Sequence, residues 1–196
     1  MNRKQKQVNS WYKIMSLFYD FSMNSEIPPD ARPIFFNKLN IQESEKGIEL
    51  CSGTGLNIPF YPKSNRMYCV DINSTMMKKA RKKANTLSYT NIDFVLSDAK
   101  ELVFKNDSFD FGIFSYALSG TPDNELALSE MERVVKPGGR IGILDYDDSF
   151  RFPMCGLAKL NLHQLVNDRK NTSVIYHKPL ATKTNRYSIY ILKVTK

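Results

Sequence analysis

Ile48-Glu49-Leu50-Cys51-Ser52-Gly53-Thr54-Gly55 is the stretch on which the reading of the whole chain turns. A short apolar run ends in an acidic residue and gives way to two glycines one residue apart, the pattern of a buried strand breaking into a tight turn. Glycine has no Cβ, so such a turn tolerates positive φ and lets a ligand approach the main chain where a side chain would collide. A dinucleotide site would place a third glycine three positions after the second, to bring the next helix close to a pyrophosphate. Here that position is Ile58. Asp71 lies 18 residues beyond Gly53, close to the roughly 20-residue offset at which an acid meets ribose hydroxyls in this architecture. The two facts predict a nucleoside-containing cofactor without a pyrophosphate.

Working outward, strand and helix patterns alternate. Before the turn, residues 8–22 carry Trp11, Ile14, Met15, Phe18, Tyr19 and Phe21 at helical spacing, and residues 30–40 form a second helical segment with Ile34, Phe35, Phe36 and Leu39. After it come strands at 66–71, 91–96, 109–116 and 140–144, and helices at 74–87 and 122–135. A short helix interrupted by Pro59 and Pro62 is expected between the first two strands. Lys136-Pro137-Gly138-Gly139 is a helix stop signal. A last helix over 156–166 and β-branched, aromatic runs at 172–176 and 187–194 close the chain. The pattern predicts an α/β fold, a Rossmann-like, open, mostly parallel seven-stranded sheet with helices on both faces and an amino-terminal helical lid over residues 1–45, all in one domain. In such sheets ligands bind beyond the carboxyl ends of the strands. The residues there are Glu49 to Gly55, Asp71, Asp98, Ser115-Tyr116 and Asp145-Tyr146, which bring well-spaced carboxylates to one crevice.

At this point the chain resembles the class I S-adenosylmethionine-dependent methyltransferases. The resemblance rests on the run from Glu49 to Asn57, on Val70-Asp71-Ile72-Asn73-Ser74-Thr75-Met76-Met77-Lys78-Lys79-Ala80, on Ser97-Asp98-Ala99, on Ser108-Phe109-Asp110-Phe111 and on Met131 to Arg140, in family order and spacing. Within the class it is similar to the methyltransferases of ubiquinone and menaquinone precursors and to small phospholipid N-methyltransferases. The resemblance implies S-adenosyl-L-methionine as cofactor. Main-chain amides around Gly53 and Gly55 would approach its methionine portion, Cys51 and Asn57 flanking the turn, and Glu49 would hold the ammonium group. Asp71 would accept from the ribose diol, Ile72 and Met76 would flank adenine, and Asp98 and Ala99 would read its edge. Ser115 and Tyr116 would end the fourth strand beside the sulfonium and the nucleophile. Tyr19 would fold over the cofactor. Two departures stand out: the family's usual glycine is Cys51, which fits if its φ is negative, and the histidine that often follows strand four is replaced by Leu118-Ser119-Gly120.

Methyl transfer is an in-line displacement at an already activated electrophile, so positioning alone supplies about 7 to 11 kcal/mol of the barrier. A dedicated base is optional, and none is assigned. His163 and His177 read as structural, Cys51 as a turn-filling residue, and Asp145, Tyr146, Asp147 and Asp148 equally as substrate contacts or as a solvated acidic loop. The basic run Lys78 to Lys83 reads as a solvated helix face.

Composition narrows the setting. The 196 residues, 42% hydrophobic and 24% charged, suit one soluble domain. No secretory signal or bilayer-spanning run is expected. Cys51, Cys69 and Cys155 offer neither a disulfide framework nor zinc spacing, so a reducing, cytoplasmic setting and no metal are expected. Arg151, Lys159, Arg169, Lys170, Lys178, Lys183, Arg186, Lys193 and Lys196 against Asp168 alone put the formal charge of +8 in the last quarter, where a solvated face and a seat for an anionic partner are both open readings. The expected activity is methyl transfer to a small-molecule or lipid-like acceptor, with peripheral membrane contact possible and no stable nucleic-acid partner. The rivals are a nucleic-acid or protein methyltransferase gripping its target with the basic quarter, and a non-catalytic cofactor-binding module.

Overall fold

The computed structural model describes Asp20 and residues 27–147, 160–182 and 185–196. Their elements are α1 (Ala31–Leu39), β1 (Lys46–Leu50), a 3-10 turn (Ile58–Phe60), β2 (Arg66–Asp71), α2 (Ser74–Thr86), β3 (Ile92–Leu96), β4 (Phe109–Ser115), a second 3-10 turn (Leu118–Gly120), α3 (Asn124–Val134), β5 (Val135–Tyr146), α4 (Leu162–Asn167), β6 (Thr172–Ala181) and β7 (Arg186–Val194). They build one seven-stranded sheet in the order β3-β2-β1-β4-β5-β7-β6. β1 to β5 run parallel, and β7 joins β5 and β6 antiparallel. Strand order reverses between β1 and β4, and the crevice opens at their carboxyl ends.

Each face of the sheet is covered. Phe35 and Leu39 of α1 and Ala80 and Ala84 of α2 pack with Met67, Phe111, Ile113 and Ile189 on one face; Leu128, Met131 and Val134 of α3 and Leu162 and Leu165 of α4 pack with Ile48, Leu50, Phe114 and Ile141 on the other. Because β1 and β4 are buried on both sides they read as apolar runs without alternation. Small residues set the helix spacing: a Cβ on Gly142 would lie 2.8 Å from the Phe35 ring, and one on Gly112 only 2.1 Å from Met131 Sδ.

Several boundaries differ from expectation. The β1–β2 crossover holds a single 3-10 turn, since Pro59 sits inside it and Pro62 follows. The Lys136–Gly139 stop signal lies within β5 as a loop-out: Phe109 pairs with Val135 and Phe111 with Arg140, while Gly138 takes φ +78. The closing strands are longer than predicted, so His177 stands within β6, opposite Tyr190. The predicted helix over 8–22 lies outside the described residues apart from Asp20, as do residues 156–159 of the one over 156–166, whose described remainder forms α4 from Leu162 onward.

Candidate functional site

The glycine turn ends β1, and its two glycines do different work. A Cβ on Gly53, at φ +55, would meet nothing nearer than the Cys51 carbonyl at 4.0 Å, so this Cα faces open space. A Cβ on Gly55, at φ +74, would strike Ile58 at 2.5 Å and Ala80 at 3.1 Å; this glycine lets α2 close on the turn. Three of the turn's amides are committed within the protein: Ser52 N donates to Val70 O and Gly55 N to Ser52 O, each at 3.0 Å, and Gly53 N donates to Asp71 Oδ2 at 2.8 Å. What Gly53 offers a ligand is therefore close approach rather than a free N–H. Cys51 corrects the expectation of a negative φ: it lies at φ +54, the left-handed region where glycine is at home and a side chain is strained. Its Sγ packs 3.7 Å from Thr121 Oγ1, and burial pushes its thiol up to about 12, as suits a turn-filling residue.

Asp71 ends β2. Besides holding Gly53, its Oδ1 accepts from Asn73 N at 2.7 Å, and Asn73 in turn caps α2 by accepting from the amides of Thr75 and Met76. Burial raises the Asp71 pKa while these backbone bonds pull against it. Ile72 and buried Met76 follow on the same crossover. At the end of β3, Asp98 Oδ1 accepts from Lys100 N at 3.0 Å beside buried Ala99, and Lys100 pairs with Asp123 at 2.7 Å.

A cleft opens between the ends of β1 and β4. Glu49, Cys51, Gly53, Asn57, Ser115 and Tyr116 line it together with Arg32, Ser52, Thr54 and Leu56. The other predicted residues, Gly55, Asp71, Ile72, Met76, Asp98 and Ala99, lie outside this lining, toward β2 and β3. Glu49 is 2% exposed, with Oε1 accepting from Asn57 Nδ2 at 2.9 Å and Oε2 from the Tyr61 hydroxyl. Burial raises its carboxyl to about 8, against the lowering effects of Asn57 and Arg32. Across the cleft, Tyr116 has φ +53. Its hydroxyl and that of Ser115 are buried without a hydrogen-bond partner among the described residues. The Tyr116 ring packs edge-on against Tyr146 and Tyr187, with ring centroids 5.5 and 5.8 Å away.

Asp145 is neither a substrate contact nor part of a solvated loop. It is fully buried, its Oδ2 accepting from the amides of Ala117 and Leu118 at 2.9 and 2.8 Å and its Oδ1 from Tyr146 N at 2.8 Å. It fastens the loop that follows Tyr116. Asp147 accepts from Ser188 Oγ at 3.0 Å, and Asp148 lies outside the described residues. The histidines brace β7: His177 stacks on Tyr190 at 4.2 Å, and His163 Nδ1 lies 3.0 Å from the Tyr190 hydroxyl. Lys83 does more than solvate a helix face, pairing with Asp20 at 2.9 Å, and Asp20 also accepts from the Thr54 hydroxyl in the glycine turn. Of the basic last quarter, Arg169 pairs with buried Glu132 at 2.8 Å and Lys196 with Asp107 at 2.7 Å, so part of that charge is structural. Tyr19 lies outside the described residues.

Sequence reasoning missed Arg32, Tyr61 and Thr54. Thr54 stands inside the quoted turn. Tyr61 sits between two prolines that suggested only punctuation. Arg32 carries no local signal, because it reaches the site from α1 by bonding Asn57 across 25 residues.

Comparison with known proteins agrees with this geometry. The model of the ubiE/COQ5 methyltransferase family matches residues 2–158. The demethylmenaquinone methyltransferase of Bacillus velezensis is 31% identical over 150 residues, 72% of this chain and 64% of that protein. The ubiquinone/menaquinone biosynthesis C-methyltransferase UbiE of Cronobacter sakazakii is 33% identical over 111 residues, 54% of this chain and 44% of that protein. The chain thus spans less than two thirds of the length of these relatives. A SAM-dependent methyltransferase from Aquifex aeolicus shares the fold, with TM-score 0.69 and 16% identity over 88% of this chain and 96% of that one. With the motifs, the sheet order and the family match in agreement, the chain belongs to the ubiE/COQ5 methyltransferase family.

Proposed function

We propose that the protein transfers a methyl group from S-adenosyl-L-methionine to a carbon of a small quinone-type acceptor. The observation that carries this is the pairing of Gly53 with Asp71: a Cα open to a ligand is held by an acid that ends the next strand, with no third glycine for a pyrophosphate. The residues fit the cofactor's parts. The partnerless hydroxyls of Ser115 and Tyr116 are buried polar groups that a bound polar ligand would satisfy. Glu49 and Asn57 would take the amino-acid end, with Cys51, Gly53 and Gly55 shaping the turn. Asp71 would take the ribose, and Ile72, Met76, Asp98 and Ala99 the adenine. When bound, the sulfonium supplies a methyl group already activated for displacement. The chain's own task is to orient the acceptor carbon in line with it and to exclude water. The residues before α1 would act as a lid, supported by the contact of Asp20 with Thr54 and Lys83, whereas α1, included in the expected lid, is packed on the sheet. The quinone-type acceptor rests on the names of the relatives. Among the described residues no helix is long and apolar enough to cross a membrane. A lipophilic acceptor would therefore be met at the bilayer surface, and we place the enzyme in the cytoplasm.

Labelled methyl transfer from S-adenosylmethionine to a demethylated naphthoquinol tests the reading. Product bearing the label on ring carbon supports it. Cofactor binding without transfer to any quinol would favour a cofactor-binding module instead, and salt-sensitive transfer to RNA or protein would favour the rival that uses the basic last quarter.

A further inference from the structure

Arg32 is a buried cation that the assignment above leaves without a task. It stands in the first turn of α1, is only 9% exposed, and lines the cleft beside Glu49. Its Nε donates to Asn57 Oδ1 at 2.9 Å, and its guanidinium carbon lies 5.7 Å from the centre of the Tyr116 ring. Among the described residues it makes no ion pair; Asp20, which shares the neighbouring groove with it, is paired to Lys83. A guanidinium offers five N–H donors in a planar fork, and the bond to Asn57 uses one. A charge withdrawn from water in this way is costly unless an anion meets it.

The position of Glu49 suggests which anion. Asn57 accepts from Arg32 through Oδ1 and donates to Glu49 Oε1 through Nδ2, both at 2.9 Å. One amide thus fixes a cation and a carboxyl group side by side on the same cleft, and once an incoming ammonium group favours the ionised carboxyl the pair is the charge complement of a zwitterion. An acceptor oxyanion on Arg32 would lie next to the Glu49 carboxyl, whereas an α-amino acid presents a cation to one group and an anion to the other. We propose that Arg32 binds the carboxylate of the cofactor's amino-acid portion while Glu49 faces its ammonium group, with Asn57 setting their spacing. The inference rests on the S-adenosylmethionine reading. Phe35 and Leu39, buried in the face beneath, hold α1 to the sheet and Arg32 at the cleft before any ligand arrives. The amino-acid portion does not change during methyl transfer, so Arg32 contributes uniform binding: it lowers KM and leaves kcat unaffected.

Calorimetry with three ligands tests this. S-adenosylhomocysteine carries the whole zwitterion, decarboxylated S-adenosylmethionine only the ammonium group, and 5′-methylthioadenosine neither. Arg32→Gln is expected to weaken S-adenosylhomocysteine by about 10- to 100-fold, the range for a charge-assisted bond, and to leave the other two ligands within a few-fold of wild type. An equal loss on all three ligands would make Arg32 a packing residue and overturn the proposal, as would an unchanged affinity for S-adenosylhomocysteine. If Arg32→Gln does not fold, as read by thermal unfolding, Arg32→Lys takes its place. This variant keeps the charge without the fork and is expected to show a smaller loss confined to S-adenosylhomocysteine; no change in ligand preference overturns the proposal there too. Failure of the methyltransferase reading itself looks different, since the wild type would then bind none of the three.

Discussion

Asp71 and Asp145 occupy equivalent places in the two halves of the sheet, yet the fold buries the second more completely than the first. Each ends a strand and accepts from the backbone of the loop after a neighbouring strand: Asp71, ending β2, holds Gly53 after β1, and Asp145, ending β5, holds Ala117 and Leu118 after β4. Asp145 is fully buried, and its oxygens are taken up by the loop and by Tyr146 N. Asp71 keeps 9% exposure, and the backbone engages it through Gly53 on Oδ2, Asn73 on Oδ1 and Ile72. A carboxylate has about four acceptor positions, so three backbone donors leave it room for a further hydroxyl donor. Glu49, ending β1, extends the series: its partners are the side chains of Asn57 and Tyr61. A strand-end acid is thus structural or functional according to how much of its hydrogen-bonding capacity the backbone has already taken.

Glu49 should give the largest effect. Its carboxyl is raised to about 8, chiefly by burial. The folded protein therefore keeps a proton that the unfolded chain releases above the ordinary glutamate range, and this contribution to stability is present at low pH and lost as pH climbs through 8. Glu49→Gln removes that loss. Denaturant unfolding at pH 9 should find the variant more stable than wild type by up to about 4 to 5 kcal/mol, with the difference vanishing near pH 4. A pH-independent difference would mean that Glu49 titrates alike in the folded and unfolded chain.

Asp145→Ala comes next. It leaves the amides of Ala117 and Leu118 buried without their acceptor, and chemical denaturation should register a loss of about 3 kcal/mol. Asp71→Ala is expected to separate the two acids. It should reduce S-adenosylhomocysteine affinity about 100-fold in calorimetry, equivalent to about 2.7 kcal/mol, at a smaller cost in stability than Asp145→Ala. A matching stability loss with intact binding would erase the distinction drawn between them. Cys51→Gly is the smallest and has the opposite sign. Relief of a side chain at φ +54 should raise stability by about 1 kcal/mol in thermal or denaturant unfolding, part of it offset by the added freedom of the unfolded chain.

The distance along the chain between partners explains what could be read in advance. The glycine turn and Asp71 lie 18 residues apart within one crossover, and the apolar runs between them leave little choice of register, so both the parallel sheet and the pairing of the turn with an acid at the end of the next strand were legible. The left-handed φ of Cys51 was not. It depends on how the turn closes over Val70, and a cysteine at that position carries no mark of backbone strain. Asp145 was misread because an acidic cluster at a strand end looks alike whether it faces water or amides from a loop 28 residues earlier. The length of β5 through Pro137 and Gly138 was hidden for a related reason: residues that end a helix also suit a loop-out within a strand pair.

By itself the sequence determined the order of the elements, the covered parallel sheet and the glycine turn that ends its first strand, because period, turn chemistry and spacing are local properties of the chain. The tertiary structure decided which polar groups remain available. Arg32 reaches Asn57 from a separate helix, and Tyr116 is boxed by Tyr146 and Tyr187 from two other strands. Whether a buried charge is already satisfied depends on every group packed around it, and those groups are brought together only by the fold.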